Sequence, residues 1–216
     1  MDSVAKIYAK HNLEMRGRGF LILGNERKQL LKKYIQGNNL KICDLGSRDG
    51  ALSKEYIKGN ELWVVDFDKA ALDALENKDK IKTVCQDLNA EVWDLPEDYF
   101  DIVIFSEVLE HLYYPARVLK KISKILKQDS GTLVGTIPNA FSLKNRFRLL
   151  FAKKKATTLE DPTHINHFSY SELESILKNN FKNIEINPLI QKKYKFLSKI
   201  SPSLFSSMLF FKARNK

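Results

Sequence analysis

Near-continuous apolar runs alternate with segments of helical spacing along most of the chain. LKICDLGS (40–47) is rich in β-formers and ends in a glycine turn. ELWVVDFD (61–68) and KTVCQDL (82–88) read as second and third strands. FDIVIFS (100–106) is the strongest strand, apolar enough for burial on both faces. GTLVGTIPNA (131–140), FKNIEINPL (181–189) and SSMLFFKARN (206–215) complete the set. Between them, ALSKEYIKG (51–59) and KAALDALEN (69–77) have helical spacing. PARVLKKISKILKQ (115–128) opens with proline and carries Val118, Leu119, Ile122, Ile125 and Leu126 on one stripe. SYSELESILKNN (169–180) has a serine cap, Ser169, with a Glu three residues on. Strand–helix alternation predicts an α/β fold with a mostly parallel, doubly wound sheet. Residues 1–38 read as a helical cap on one domain spanning 1–216. Residues 141–168 read as an insertion, or lid, over the active site.

Composition narrows the function classes. The chain has 216 residues, ordinary apolar content and two cysteines, Cys43 and Cys85, without CxxC spacing. A disulfide framework and a cysteine-rich zinc site are excluded. The N-terminus lacks signal-peptide shape, and no apolar run approaches the roughly 20 residues of a membrane span. A cytoplasmic setting is the default expectation. The net charge of +10 is uneven: residues 41–130 are net acidic, whereas 141–155 hold six basic residues and no acidic ones. Residues 191–216 hold seven basic residues and no acidic ones. These flanks are either solvated surface or a welcome for an anionic partner.

Ligands in doubly wound folds bind at the C-terminal ends of the strands. The turns there read Asp44-Leu-Gly46-Ser47-Arg48-Asp49-Gly50, then Asp66-Phe67-Asp68, then Gln86-Asp87-Leu88, then Ser106-Glu107-Val-Leu-Glu110-His111. The GxGxxG dinucleotide fingerprint fails, because Arg48 and Ala51 stand at its second and third glycines. Asp44 would repel a pyrophosphate and welcome an ammonium group. Asp66 can accept from both ribose hydroxyls, and Asp87 from an exocyclic adenine amine. The set suits S-adenosylmethionine.

DLGSRDGALS, VVDFD, CQDL and FDIVIFSEVLEHL resemble the successive motifs of class I S-adenosylmethionine-dependent methyltransferases, over about residues 38–190. The resemblance implies a Rossmann-like seven-stranded sheet with a reversed last strand. It assigns Asp44, Gly46, Ser47 and Gly50 to the methionine moiety, Asp66 and Phe67 to the ribose and adenine face, and Asp87 and Leu88 to the adenine edge. Ser106 joins this cofactor set from the fourth turn. Arg48 stands where family members usually have a third glycine, so it could narrow the pocket or reach an anionic substrate.

On a helical turn Glu107, Glu110 and His111, at i, i+3 and i+4, would share one face and suit a divalent cation. EVLEHL is similar to the matching segment of ubiquinone-pathway O-methyltransferases and of small-RNA terminal 2′-O-methyltransferases, where those residues serve a metal. That likeness implies Mg²⁺ or another divalent ion on Glu107, Glu110 and His111, with His164 or His167 as a fourth ligand. In metal-free relatives the same segment lines the pocket, which leaves Glu110 with His111 or His167 for acid–base work. The tract IPNAFSLKNRFRLLFAKKK…DPTHINHFSYSEL resembles methyltransferases of surface-polysaccharide biosynthesis. FSLKNRFRLLFA is an amphipathic basic helix that either packs as a lid on the core or touches an anionic surface, a peripheral membrane included. The expected activity is O-methylation of a small polar, sugar- or phosphate-bearing acceptor. RNA 2′-O-methylation, a quinone precursor, and a non-enzymatic cofactor-binding subunit rank below it.

Overall fold

A strand that is apolar at successive positions needs cover on both faces of its sheet, and the most apolar runs here form such a sheet. The computed structural model describes residues 23–75, 80–190, 196 and 201–216. The strands are β1 (Lys41–Leu45), β2 (Glu61–Asp66), β3 (Ile81–Cys85), β4 (Ile102–Ser106), β5 (Thr132–Pro138), β6 (Phe181–Leu189) and β7 (Met208–Asn215). They lie in the order β3-β2-β1-β4-β5-β7-β6. Strands β1 to β5 pair in parallel, and β7 runs antiparallel between β5 and β6. The expected reversed last strand is β7. The strand order turns back between β1 and β4, so their C-terminal ends form the ligand crevice of a doubly wound sheet.

Alternate residues of each strand feed two core layers. Ile42, Leu62, Val64, Ile104, Val134 and Phe210 face one layer, which Leu31 of helix α1 (Gly24–Tyr34) covers. Cys43, Val65, Val103, Phe105, Leu133 and Phe211 face the other. There α3 (Pro115–Ile125) buries Val118, Leu119 and Ile122, and α5 (Tyr170–Lys178) buries Leu173 and Leu177. Helix α5 starts at the capping box expected from sequence: Glu172 N–H donates to the Ser169 hydroxyl, and Ser169 N–H donates to the Glu172 carboxylate.

Several expected elements are shorter. Residues 51–59 do not form an α-helix; only Lys54–Tyr56 makes one 3₁₀ turn. Helix α2 is Lys69–Asp73, with Asp68 as its N-cap, and the end of the expected 69–77 helix lies outside the described residues. Helix α3 stops at Ile125 because Leu126 turns extended and bridges to Phe100. Helix α4 is Leu143–Leu150, and a four-residue helix, α6 (Pro202–Phe205), precedes β7. Residues 1–22 of the expected N-terminal cap and most of the 191–200 basic stretch also lie outside the described residues.

Candidate functional site

The turn after β1 alternates left-handed positions: Gly46 (φ 71°), Arg48 (φ 52°) and Gly50 (φ 60°). Arg48 thus adopts a left-handed conformation that favours glycine, at a cost of roughly 1–2 kcal/mol for a residue with Cβ. The winding lets the Arg48 N–H donate to one oxygen of Asp66 at 2.7 Å, while the Asp68 N–H donates to the other at 2.9 Å. Because the Arg48 contact is made by backbone, any side chain that tolerates the turn would keep it. Gly46 is required by packing: a Cβ there would meet Val108 Cγ2 at 2.5 Å. The β1 turn therefore rests directly on the turn after β4.

Asp44 and Asp66 are both buried, and burial raises both carboxyls. The Asp44 carboxyl is pushed up to about 7 by burial, against the Ser53 hydroxyl and the Arg27 guanidinium, which lower it; Asp66 and Asp49 raise it further. Arg27 is a residue the sequence reading missed. It is buried on α1 and donates to the Ser106 hydroxyl at 2.7 Å, and Ser106 in turn shares a 2.6 Å hydrogen bond with Thr136. The signal was present: Arg27, Leu31 and Tyr34 fall on one helical stripe, so this cation lies on the face that packs inward.

Of the expected cofactor residues, Asp44, Gly46, Ser47 and Gly50 gather at the β1 turn, Asp66 and Phe67 follow β2, and Ser106 ends β4. The Ser47 hydroxyl is buried without a hydrogen-bond partner. Asp87 is exposed beyond β3, and its carboxylate accepts the Asn89 N–H at 2.8 Å. The Leu88 side chain belongs to the core rather than to an open wall, and its carbonyl accepts from the Trp93 indole at 3.2 Å. A cleft of about 250 Å³ lies beside the β1 turn, lined by Gly50, Ala51, Ser53 and Lys54 together with Leu75 and Ile81.

The second group corrects one expectation. Glu107 does not share a helical face with Glu110 and His111. Its φ is 60°, and helical geometry covers only Leu109–His111. Glu107 is instead tied through its N–H to the Thr136 carbonyl. Glu110, His111 and His164 do converge, with one ligand atom from each within 4.8 Å of the others. The chain path that joins them is specific. The Glu110 carbonyl accepts the N–H groups of Ile165 and Asn166, at 2.9 and 2.8 Å, and the Leu112 carbonyl accepts the Asn166 side-chain amide.

Both imidazoles are oriented by backbone. His111 Nδ1–H donates to the Thr163 carbonyl at 2.8 Å, and His164 Nδ1–H donates to the Thr158 carbonyl at 2.9 Å. In the neutral rings this leaves each lone pair on Nε2. His111 Nε2 lies 3.8 Å from Glu110 Oε1, and His164 Nε2 lies 3.8 Å from Asp161 Oδ2. His164 Nε2 is buried and makes no hydrogen bond. The two rings sit with centroids 4.8 Å apart. His167 stands outside this cluster, its imidazole pulled below the ordinary value by burial first and by His164 next.

The comparisons with known proteins agree with this architecture. The family described as "Methyltransferase domain" matches residues 15–186. A probable S-adenosylmethionine-dependent methyltransferase of Mycobacterium tuberculosis is 29% identical over 113 residues, which is 52% of this chain and 37% of that protein. The chain thus spans well under half the length of this curated relative. Among solved structures, an S-adenosylmethionine-dependent methyltransferase of Archaeoglobus fulgidus superposes with a TM-score of 0.67 at 21% identity, covering 96% of this chain and 99% of its own. Phosphoethanolamine N-methyltransferase 2 of Haemonchus contortus, held with phosphomonomethylethanolamine and S-adenosylhomocysteine, superposes with a TM-score of 0.65 at 15% identity, covering 94% and 59%. With the family model matched over most of its length, and with the seven-stranded sheet that ends in an inserted antiparallel strand, the chain belongs to the methyltransferase-domain family as a class I S-adenosylmethionine-dependent methyltransferase domain.

Proposed function

We propose that this protein transfers a methyl group from S-adenosylmethionine to an oxygen of a small anionic acceptor bearing sugar or phosphate, of the kind used in surface-glycan synthesis. The observation that carries the reading is the placement of buried Asp44 and Asp66 at the ends of β1 and β2, with Glu110 and His111 following β4 and His164 brought to them from the segment after α4. The donor set fits the cofactor. The Asp66 oxygens accept backbone N–H groups, Arg48 on one and Asp68 on the other, and keep acceptor capacity for the ribose hydroxyls. Asp44, held near neutrality by burial, gains a counter-ion when an ammonium approaches. Bound S-adenosylmethionine would supply the electrophilic sulfonium methyl.

The chain's own residues would do the rest. Arg27, fixed on Ser106, would lower and so moderate the Asp44 carboxyl. His111 would take the acceptor's hydroxyl proton at Nε2, since its Nδ1–H is committed to the Thr163 carbonyl. Holding acceptor and methyl in line would contribute most of the acceleration. The six basic residues of 141–155 favour an anionic acceptor. A phosphorylated substrate in the Haemonchus enzyme is in keeping with that preference. Asp66→Ala should remove two charge-assisted hydrogen bonds to the ribose, each worth roughly 1.5–3 kcal/mol. Calorimetry with S-adenosylhomocysteine measures this, and unchanged affinity would overturn the ribose assignment.

A second reading rests on the buried His164 Nε2, which makes no hydrogen bond and has only the Asp161 carboxylate 3.8 Å away as a charged neighbour. Two backbone-clamped imidazoles and a buried carboxylate form a donor set that suits a divalent transition ion such as Zn²⁺ or Mn²⁺ better than Mg²⁺. The ion would bind Glu110, His111 and His164, without Glu107, and would favour the deprotonated acceptor hydroxyl. Zn²⁺ or Mn²⁺ should then raise the melting temperature of the wild type and not of His164→Ala. Equal shifts in both proteins would leave His111 with the acid–base role alone.

A further inference from the structure

Helix α4 (Leu143–Leu150) packs inward with a polar residue and outward with apolar ones. Asn145 is buried, and its side-chain amide donates to the carbonyls of Asn139 and Ala140, both at 3.1 Å. The stripe Leu143, Phe147, Leu150 and Phe151 lies on the opposite face by helical spacing and is 44%, 63%, 78% and 57% exposed. Phe147 and Phe151 pack edge to face on each other, with ring centroids 4.9 Å apart, rather than on the core. The apolar stripe therefore does not seal α4 onto the core; the fully buried side chain of the helix is the polar Asn145, with Leu149 half-buried one turn on.

The surroundings of the stripe are cationic. Lys144, Arg146 and Arg148 flank it on the helix, and Lys153, Lys154 and Lys155 follow directly. Among the described residues none of these six forms an ion pair. Arg146 and Arg148 also clamp the helix, donating to the carbonyls of Phe141 and Lys155, so the apolar stripe is presented on a braced element. An exposed aliphatic and aromatic stripe within a ring of unpaired cations matches one surface chemically: an anionic lipid bilayer, whose acyl boundary takes the stripe while its headgroups take the lysines. Leu143 and Leu150 offer nothing to a nucleic-acid base, and the cations oppose a second copy of the same patch.

We propose that α4 with the 151–155 segment is a peripheral docking surface for anionic membranes. Because α4 follows the C-terminal end of β5, docking would place that edge of the sheet, which carries the candidate site, next to the lipid.

The test is sedimentation of the full chain with phosphatidylcholine vesicles, with and without phosphatidylglycerol. Wild type should bind only the anionic vesicles, and binding should weaken with salt. Leu150→Ser with Phe151→Ser should reduce partitioning more than about tenfold, and Lys144→Gln with Lys153→Gln and Lys154→Gln should reduce it about as much. Melting temperatures should stay near wild type, since none of these side chains packs in the core. No binding to either vesicle, equal binding to both, or unaltered binding by the variants would overturn the proposal. So would tight RNA binding that the lysine variant abolishes, or a dimer that the apolar variant dissolves.

Discussion

Asp44 shows how a residue legible in the sequence acquires its chemistry only in the fold. Its position two residues before a glycine turn marks it as a candidate for an ammonium group. Its carboxyl value of about 7 comes from complete burial, moderated by Ser53 and Arg27. An unfolded aspartate titrates near 3.9, so the folded chain holds this proton more tightly. The stabilising contribution is full below about pH 4 and is lost as pH rises through about 7. Asp44→Asn should therefore flatten the fall in stability of the cofactor-free protein between pH 5 and 8 (a range of about three units), measured by denaturant titration. The same proton must leave when an ammonium binds, so cofactor affinity should rise with pH up to about 7 and level off above it. Calorimetry in buffers of different ionisation enthalpy should detect proton release below pH 7, and none in the Asn variant. Gly46 makes a separate case. Its φ is 71°, and a Cβ would strike Val108 at 2.5 Å. Gly46→Ala should cost about 2–4 kcal/mol from strain and overpacking together, visible in the denaturant midpoint.

Among the elements, strands were more legible than helices. The inner strands β1, β2, β4 and β7 are rich in buried apolar residues, a pattern with few alternatives once both faces of the sheet are covered, whereas β3 and β6 at the sheet edges are mixed. Helices depend on what they pack against, and the 51–59 segment has helical spacing yet makes one 3₁₀ turn. Glu107 failed for a related reason: its i, i+3, i+4 spacing to Glu110 and His111 presumed a helix that begins two residues later. Helix α3 illustrates a terminus held from far away. The Asn215 side-chain amide, at the end of β7, donates to the carbonyls of Ser123, Leu126 and Lys127. The Ser123 and Leu126 carbonyls lie at the end of a buried helix, where helix geometry leaves carbonyls without an intrahelical donor, while the Lys127 carbonyl also accepts the Gly131 N–H. Asn215→Ala should cost about 1–3 kcal/mol and lower the melting temperature by about 2–4 °C per kcal/mol. Asn215→Asp, which keeps the shape and removes the donor, should be no better.

Across the whole molecule, distant segments decide what the site can do. His164 reaches Glu110 and His111 because the 161–168 segment hangs on the Glu110 carbonyl through Ile165 and Asn166. Loss of the Asn166 amide, which donates to Leu112, should loosen that segment. Asn166→Ala should thus lower turnover with little change in cofactor affinity, checked by comparing methyl transfer with S-adenosylhomocysteine binding. The sequence by itself determined the strand–helix alternation, the succession of carboxylates at the strand ends, and the glycine turn that contains Arg48. Those features are local or periodic, and elementary sterics and burial read them directly. Only the tertiary structure decided that β7 lies between β5 and β6, that Arg27 is buried against Ser106, and that α4 turns its apolar stripe outward. Each of these depends on contacts between residues far apart in the chain, whose free energies belong to the assembled core rather than to any one segment.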